Sequence, residues 1–304
     1  MTIIMRPYMP ATDTQRILDF RRACTTRENI NDYPAIVDLY EILSRPPANS
    51  QERIALWEDG DGTILAYAIV ALRYCNLYFL LHPHVQDTEV AAQVIEWGQN
   101  QIKGTSTCGA IDTPCRDTDQ KRVALLEQHG FTCSDAQTLH MARSLAEAIP
   151  APQFPAGFAL RPVAGENEVE AVVALHQDAF GTRNMTRDGR LSIMRNPEYI
   201  PELDLLLVAP DGTLAAFCYC TIPKEANAQS GRNEGEIAII GTAAAYKNRG
   251  LGRAMVLAGL QSLKQFGIEI ATLGTSSENV KAQSVFAAAG FHTVYKTLWY
   301  SKSV

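Results

Sequence analysis

Runs of alternating apolar residues and runs with helical spacing take turns along this chain, and glycine or proline marks most changeovers. In the second half, residues 203–208 and 214–222 read as paired strands, with Asp211-Gly212-Thr213 as the tight turn between them. Residues 236–242 and 268–274 read as further strands, 250–266 as a helix ending at Gly267, and 280–289 as a helix ending at Gly290. Residues 292–301 close the series as a last strand. The first half follows the same order of strand, helices, hairpin, strand, helix, strand, helix, strand. Hairpins first and strand-helix-strand units afterwards predict an α/β (α+β) fold, a twisted mixed sheet flanked by helices.

The plan is written twice. Met5-Arg6-Pro7 returns as Leu160-Arg161-Pro162, Asp61-Gly62-Thr63 as Asp211-Gly212-Thr213, and His129-Gly130-Phe131 as Ala289-Gly290-Phe291. The offsets, 160 − 5 = 155, 211 − 61 = 150 and 290 − 130 = 160, keep the three landmarks in order and nearly in step. Between the copies, residues 150–157 carry three prolines and no periodicity, which suits a semi-rigid linker. The expected organisation is therefore two tandem domains, 1–149 and 158–304, joined by the linker 150–157.

Composition narrows the function classes. A length of 304 residues suits about two domains. With 46% hydrophobic and 20% charged residues the chain is expected to be globular rather than disordered. The balance 27 − 33 = −6 argues against a general nucleic-acid binder but leaves room for a local basic pocket. No segment reaches the ~18–20 uninterrupted apolar residues of a membrane span; the stretch from Tyr67 to Leu81 is broken by Arg73 and Asn76. The N-terminus has no basic region leading into a long apolar core, so no secretory signal is expected. Of the seven cysteines none forms a Cys-x-x-Cys pair, and Cys218 and Cys220 flank Tyr219 in an apolar run. That pattern points to reduced core thiols and a cytoplasmic location. The six histidines show no metal-ligand spacing, and His82-Pro-His84 reads as a turn.

The strongest chemical signal joins a strand to a helix in the second half. After residues 236–242 comes a loop in which Lys247, Arg249 and Arg253 surround Gly250 and Gly252. Glycines let backbone close on a ligand, the first amides of a helix have no internal acceptor, and the helix dipole favours negative charge there. A pyrophosphate is the occupant this arrangement predicts. A dinucleotide fingerprint would need a third glycine where Met255 stands, and a nucleoside triphosphate loop would need Gly-Lys-Ser/Thr, which is absent.

Downstream come Asn279-Val-Lys-Ala282, then Phe286 and the helix-ending Gly290-Phe291. With Lys247-x-x-Gly250-x-Gly252, these residues resemble the GCN5-related N-acetyltransferase (GNAT) superfamily, whose cofactor motif is Gln/Arg-x-x-Gly-x-Gly/Ala at a strand-to-helix junction. The layout is similar in both halves, but the specific motifs occur only in the second. Two such domains in one chain look most like the mycothiol-synthase branch. The resemblance implies two splayed parallel strands with the pantetheine arm of acetyl-CoA between them. Ile240, Gly241 and Thr242 would offer it backbone groups, the amides from Asn248 through Arg249, Gly250, Leu251, Gly252 and Arg253 to Ala254 would hold the pyrophosphate, and no metal would be needed. The first copy has no glycine in the equivalent stretch and places Asp87 and Glu89 at its helix start, where acids repel phosphates. One acetyl-CoA site per chain is expected.

Acetyl transfer to an amine requires a base, an oxyanion donor and a route for the thiolate's proton. On a regular strand Glu234, Glu236, Ala238, Ile240 and Thr242 share one face, which would point Glu236 into the thioester cleft as base; otherwise it is a solvated strand-end carboxylate. The family often places a tyrosine as acid where Phe286 stands, so either another tyrosine (Tyr246, Tyr295 or Tyr300) substitutes or the thiolate leaves without one, and for any single tyrosine aromatic packing is the simpler reading. Asn279 reads as a helix N-cap, with or without a cofactor contact. The function expected is acetyl-CoA-dependent N-acetylation of a primary amine on a small molecule, such as a mycothiol-type sugar amine, by direct transfer in a ternary complex. The alternatives are a catalytically silent acetyl-CoA sensor and a protein or peptide acetyltransferase.

Overall fold

The computed structural model describes residues 2–44, 52–85, 89–103 and 108–304. In chain order the first copy contributes β1 (Ile4–Pro7), α1 (Pro10–Cys24), α2 (Ile36–Ser44), β2 (Glu52–Glu58), β3 (Ile64–Ala71), β4 (Asn76–Leu81), α3 (Glu89–Ile102), β5 (Ala110–Arg116), α4 (Gln120–Gln128) and β6 (Thr132–Ser144). The second contributes β7 (Ala159–Pro162), α5 (Val169–Phe180), α6 (Arg187–Met194), β8 (Asp204–Val208), β9 (Leu214–Thr221), α7 (Lys224–Ser230), β10 (Glu234–Thr242), α8 (Leu251–Gln265), β11 (Ile270–Ser276), α9 (Val280–Ala288) and β12 (His292–Ser303). Apart from the short α7, the second copy repeats the element order of the first.

Local chemistry explains why the landmarks repeat. Arg6 grips Asp13 with two hydrogen bonds of 2.6 and 2.8 Å, and Arg161 grips Glu168 with 2.8 and 2.6 Å. The same carboxylates accept the Met9 and Ala164 amides, so each Arg-Pro strand is locked to the helix that follows. Gly62 and Gly212 turn their hairpins with φ +80° and +86°, and Gly130 and Gly290 end α4 and α9 with φ +77° and +89°.

The compact units do not divide at residue 150. One comprises Met1–Gln137 with Tyr295–Val304, the other Thr138–Val294. The first unit has the strand order β1-β2-β3-β4-β5-β12, the second β7-β8-β9-β10-β11-β6. Each copy ends in a long strand, and the far end of that strand serves the other unit. Residues 138–144 run antiparallel to β11, and residues 297–303 antiparallel to β5. Periodicity marks a segment as a strand but carries nothing about which edge it will join, so the expected split into 1–149 and 158–304 missed the exchange.

Each unit buries both faces of its sheet. In the first, Ala66, Ala68 and Val70 of β3 pack with the α3 residues Val90, Val94 and Ile95, while Tyr67 and Ile69 pack with Ile17 and Leu39 of α1 and α2. In the second, Cys218 and Cys220 of β9 lie under Met255 and Leu257 of α8, and Phe217 lies under Val172 and Leu175 of α5. Cys218 and Cys220 are buried free thiols, as expected. Cys75 and Cys108, 33 residues apart, form a disulfide that the spacing did not disclose. His82-Pro-His84 lies at a short 3-10 turn, as read from sequence. Among the described residues no helix is long and apolar enough to cross a membrane.

The exchanged strands make a prediction. A fragment of residues 158–304 lacks the strand that covers β11, leaving an open edge that invites association. It is expected to aggregate or melt without a cooperative transition, whereas residues 138–304 stay monomeric, as read by gel filtration and circular dichroism. Equal midpoints and equal monomer content for the two fragments would contradict the exchange.

Candidate active site

The second unit has a break in its sheet. β10 pairs with β11 in parallel at Glu234, Gly235 and Glu236 only, opposite Ile270, Ala271 and Thr272. From Ile237 to Thr242 it stays paired with β9 on its other side, and β11 follows β6 instead. The edge of β10 that carries Ile240, Gly241 and Thr242 therefore faces a gap rather than a strand. Backbone groups inside a sheet seek partners, so such a gap is a place for an extended ligand with amides of its own.

A bulge sits on the same strand. The register with β9 slips between Ile237 and Ile239, leaving Ala238 as an extra residue. Ile237 and Ile240 consequently both pack towards α8, while Ile239 packs towards α5. A Cβ on Gly235 would meet Leu263 and Ile268 beneath α8, and one on Gly241 would meet Phe217 and Ala179 beneath α5. Glu236, between Gly235 and Ile237, thus stands on the α5 face with Ile239 and Gly241. The expectation that it shares a face with Ile240 and Thr242 is corrected by this one-residue slip. Its side chain is exposed.

At the mouth of the gap lies the glycine loop. Ala244–Tyr246 form a 3-10 turn held by the Ala244 amide on Asp178 Oδ2 at 2.7 Å. Asn248 takes φ +62°, Gly250 takes φ +78° as the residue before α8, and the helix begins at Leu251. Among the described residues, the amides of Asn248, Arg249, Gly250, Leu251, Gly252 and Arg253 have no acceptor; Ala254 already donates to the Gly250 carbonyl at 3.2 Å. Three of these six amides precede α8 and three lie in its first turn, which has no side-chain cap, so all six are open to an acceptor from outside the chain.

The glycines of this region have different causes. Gly259 is needed by packing, since a Cβ there would lie 2.8 and 3.0 Å from the Cys218 and Cys220 sulfurs. Gly250 is needed by its left-handed backbone. Gly252 is needed by neither. It lies in the first turn of α8, where a Cβ would meet nothing nearer than Thr242 Oγ1 at 4.0 Å. A helical glycine that the chain itself does not require leaves room for something outside the chain.

The three cations of the loop behave differently. Lys247 donates to the Ala179 carbonyl at 2.9 Å, near the C-terminal end of α5, rather than reaching over the glycines. Arg249 lies 5.3 Å from the Tyr246 ring centroid. Arg253 is exposed, with no ion pair or hydrogen bond among the described residues. Tyr246 is half-buried and edge-on to Phe158 at 5.9 Å, so its ring is a packing element. Asn279 caps α9, accepting from the Ala282 amide at 3.2 Å. Phe286 is buried against Phe291. Tyr295 belongs to the first unit, where the Arg116 guanidinium lies 3.5 Å from its ring centroid. Tyr300 is there too, buried, its hydroxyl 3.4 Å from Glu127 and pushed up to about 12 by that burial.

The α5 face holds residues the sequence did not single out. Tyr219 pairs with Ile239 at the bulge, and its ring lies 5.9 Å from that of Tyr199. Tyr199 donates to Asp204 at 2.6 Å, and Arg190 binds the same carboxylate oxygen. Burial pushes the Asp204 carboxyl up and Arg190 opposes it. The pair is fully enclosed, so it fixes α6 and Tyr199 against β8. His176 stacks on Phe217 at 5.6 Å, and burial, helped by the charge of Arg190, holds its pKa below the usual value, so the imidazole is neutral at pH 7. A polar residue opening an apolar strand, as in Asp204-Leu-Leu-Leu-Val, was the available signal.

Comparison with known proteins agrees with this geometry. Residues 169–291 match the acetyltransferase (GNAT) family model. This unit carries a GNAT acetyltransferase domain. A mycothiol acetyltransferase of Saccharomonospora viridis is 27% identical over 59% of this chain and 60% of its own length. One from Kineococcus radiotolerans is 31% identical over 55% of this chain and 54% of its own length. The chain thus spans little more than half of these relatives. A GCN5-related N-acetyltransferase from Sphaerobacter thermophilus superposes with a TM-score of 0.72 at 24% identity, covering 99% of this chain and 95% of that one. A tandem GNAT protein from the clavulanic acid pathway superposes with 0.75 at 14% identity, covering 99% and 98%.

Against the GNAT domain, the first unit shows how such a gap is closed. β4 pairs with β5 at Asn76 and Asp112 and then parts from it. Asp119 caps α4 as Asn279 caps α9, each accepting from the amide three residues on, which is Arg122 in one and Ala282 in the other. The Arg122 side chain donates to the Phe79 carbonyl of β4 at 3.3 Å and lies 3.9 Å from the Phe79 ring centroid. A large cation thus lies against β4 where the GNAT motif keeps alanine. Glu89 opens α3, and Asp87 lies outside the described residues.

The two loop glycines predict opposite stability changes. Gly250→Ala is expected to cost about 1–2 kcal/mol through its left-handed backbone. Gly252→Ala is expected to gain up to about 1 kcal/mol. Urea denaturation of both variants measures this; destabilisation by Gly252→Ala would mean that the chain itself requires that glycine.

Proposed function

We propose that this chain is an acetyl-CoA-dependent N-acetyltransferase that acetylates a primary amine of a small molecule by direct transfer in a ternary complex. The observation that carries the reading is the coincidence of the β10–β11 gap with the six free amides before and at the start of α8. The pyrophosphate of acetyl-CoA lies on those amides, with Arg253 beside it, and the pantetheine arm runs along Ile240, Gly241 and Thr242. The thioester then reaches the bulge at Ala238, where a β10 amide freed from regular pairing donates to the developing oxyanion.

The bulge also separates the substrates. α8 packs on one face of the sheet and Glu236 stands on the other, so the amine approaches from the α5 side while the cofactor enters beside α8. Glu236 takes the ammonium proton, the neutral nitrogen attacks the thioester carbonyl, the C–S bond breaks to release CoA thiolate, and the newly acylated nitrogen gives its surplus proton to solvent, leaving a neutral amide. With Phe286 where the family often has tyrosine, the thiolate's proton comes from another group or from solvent; Tyr246, at the loop, is the candidate within this unit. The relatives named mycothiol acetyltransferase make a mycothiol-type sugar amine the first acceptor to try. Phe286 also favours a second reading, a silent acetyl-CoA sensor.

Thiol release measured across an amine panel separates the two, since turnover requires the enzyme and tight binding without turnover the sensor. Glu236→Gln is expected to lower kcat by about 10²–10⁴-fold with little change in acetyl-CoA affinity. Gly252→Ala is expected to weaken acetyl-CoA about tenfold while the fold is kept. Calorimetry should give one site per chain; two equivalent sites would contradict the closure of the first unit by Arg122.

A further inference from the structure

The strand that the first copy lends to the second unit brings a histidine to the amine side of the gap. β10 pairs with β11 at Glu236 and Thr272, so Gly274 stands on the far bank of the gap, opposite the bulge at Ala238. Ala271 and Leu273 of β11 and Met141 of β6 pack in the core beneath α8. Thr272 and Gly274, with their β6 partners Ala142 and His140, therefore take the opposite face, which is the face of Glu236. His140 is half-buried and belongs to the second unit. With strands ~4.8 Å apart and a rise of ~3.3 Å per residue, the Cα atoms of His140 and Glu236 lie about 12 Å apart, on opposite sides of the gap. Side chains leaning together from that distance leave room for one small group that touches both.

Gly274 has no cause within the chain. Its backbone is not left-handed, it is exposed, and a Cβ there would meet nothing nearer than Thr138 Cγ2 at 3.7 Å, an ordinary contact. A glycine inside a strand weakens it and marks a close approach from outside. Here it removes the one side chain that would stand between His140 and the gap. The first unit carries the opposite pair: Pro114 and Trp299 are partners at the equivalent places on β5 and β12, and there Arg122 closes the gap. The region matched to the GNAT family starts at residue 169, so His140 is supplied by the tandem arrangement and not by the matched domain.

We propose that His140 is an acceptor-binding residue, which reaches over Gly274 and accepts a hydrogen bond from the amine that Glu236 deprotonates. The assignment rests on the acetyl-transfer reading of this site. A primary ammonium carries three N–H donors, enough for a carboxylate on one bank and an imidazole on the other. After one proton has passed to Glu236, the amine still donates to His140, which keeps its lone pair directed at the thioester carbonyl. The Thr272 hydroxyl does not compete, because it donates to the Gly235 carbonyl at 3.3 Å.

Two measurements on the full chain test this. In the first, the ring Cε1–H resonance of His140, assigned by its loss in His140→Gln, is followed by NMR. The CoA-saturated protein is titrated with ethanolamine, glucosamine and cadaverine, and a saturable shift with at least one of them is expected. In the second, thiol release is measured with whichever of these amines turns over best. His140→Ala is expected to raise the KM for the amine about tenfold, with the KM for acetyl-CoA and the melting midpoint unchanged. His140→Gln, whose side-chain oxygen can accept in the same place, is expected to recover most of that loss. Gly274→Val is expected to raise the amine KM at least about fivefold without lowering the midpoint. A shift without turnover of any amine supports His140 as an amine ligand and overturns the acetyl-transfer reading. Turnover with an unmoved resonance, or with an unchanged amine KM in His140→Ala, overturns the proposal and leaves that reading standing. Neither shift nor turnover with all three amines overturns both. Should His140→Ala fail to fold, the wild-type resonance and the amine KM of Gly274→Val decide.

Discussion

The parting of β10 from β11 after Glu236 is the constraint on which the rest of the second unit depends. A sheet interrupted at its middle leaves strand edges without partners, and a fold tolerates that only where something else satisfies them. α8 begins at the mouth of the gap with its own amides unsatisfied, so two backbone deficits of complementary shape lie side by side. The core beneath is rigid: Gly259 lets α8 lie directly on Cys218 and Cys220, and Met255 and Leu257 are fully enclosed. Close packing beneath and unmet backbone groups at the edge are the two features on which the proposed cofactor site rests.

The first unit began from the same plan and resolved the deficit internally. Arg122 supplies to β4 a donor from within the chain, and the Cys75–Cys108 disulfide joins the segments that lead into β4 and β5. In the second unit the corresponding apex is held by Asn233, whose carbonyl accepts from Glu269 and Ile270 and whose side chain donates to the Gly267 carbonyl. One copy is closed by a side chain and a covalent link; the other is held at its apex by hydrogen bonds and left open above it.

Much of this was legible in the chain. Hairpin turns, helix-ending glycines and Arg-Pro landmarks are local devices, in which the residues that create the geometry are neighbours in sequence. They were read correctly in both copies. The glycine loop was legible for the same reason, although its cations were not: Lys247 looks like a phosphate ligand in sequence and donates to the Ala179 carbonyl in space. Glu236 was legible as a residue and misplaced in direction, because a single bulged residue at Ala238 reverses the alternation on which the reading relied. Tyr219 lies inside an apolar run and Asp204 opens one, while Arg190 and Tyr199 stand in polar stretches; the four were not linked, since nothing in a sequence says that a buried arginine has found its carboxylate.

By itself the sequence determined the duplication, the order of strands and helices, and the loop of exposed amides, because each follows from spacing over a few residues. Tertiary structure alone decided that residues 138–144 and 297–303 change units, that Glu236 faces α5, that Cys75 meets Cys108, and that Arg122 closes one gap while Ala282 leaves room at the other. These depend on which edges and side chains meet after long stretches of chain have folded back. Hydrophobic period is blind to that, because it records which face a residue takes and not what stands opposite.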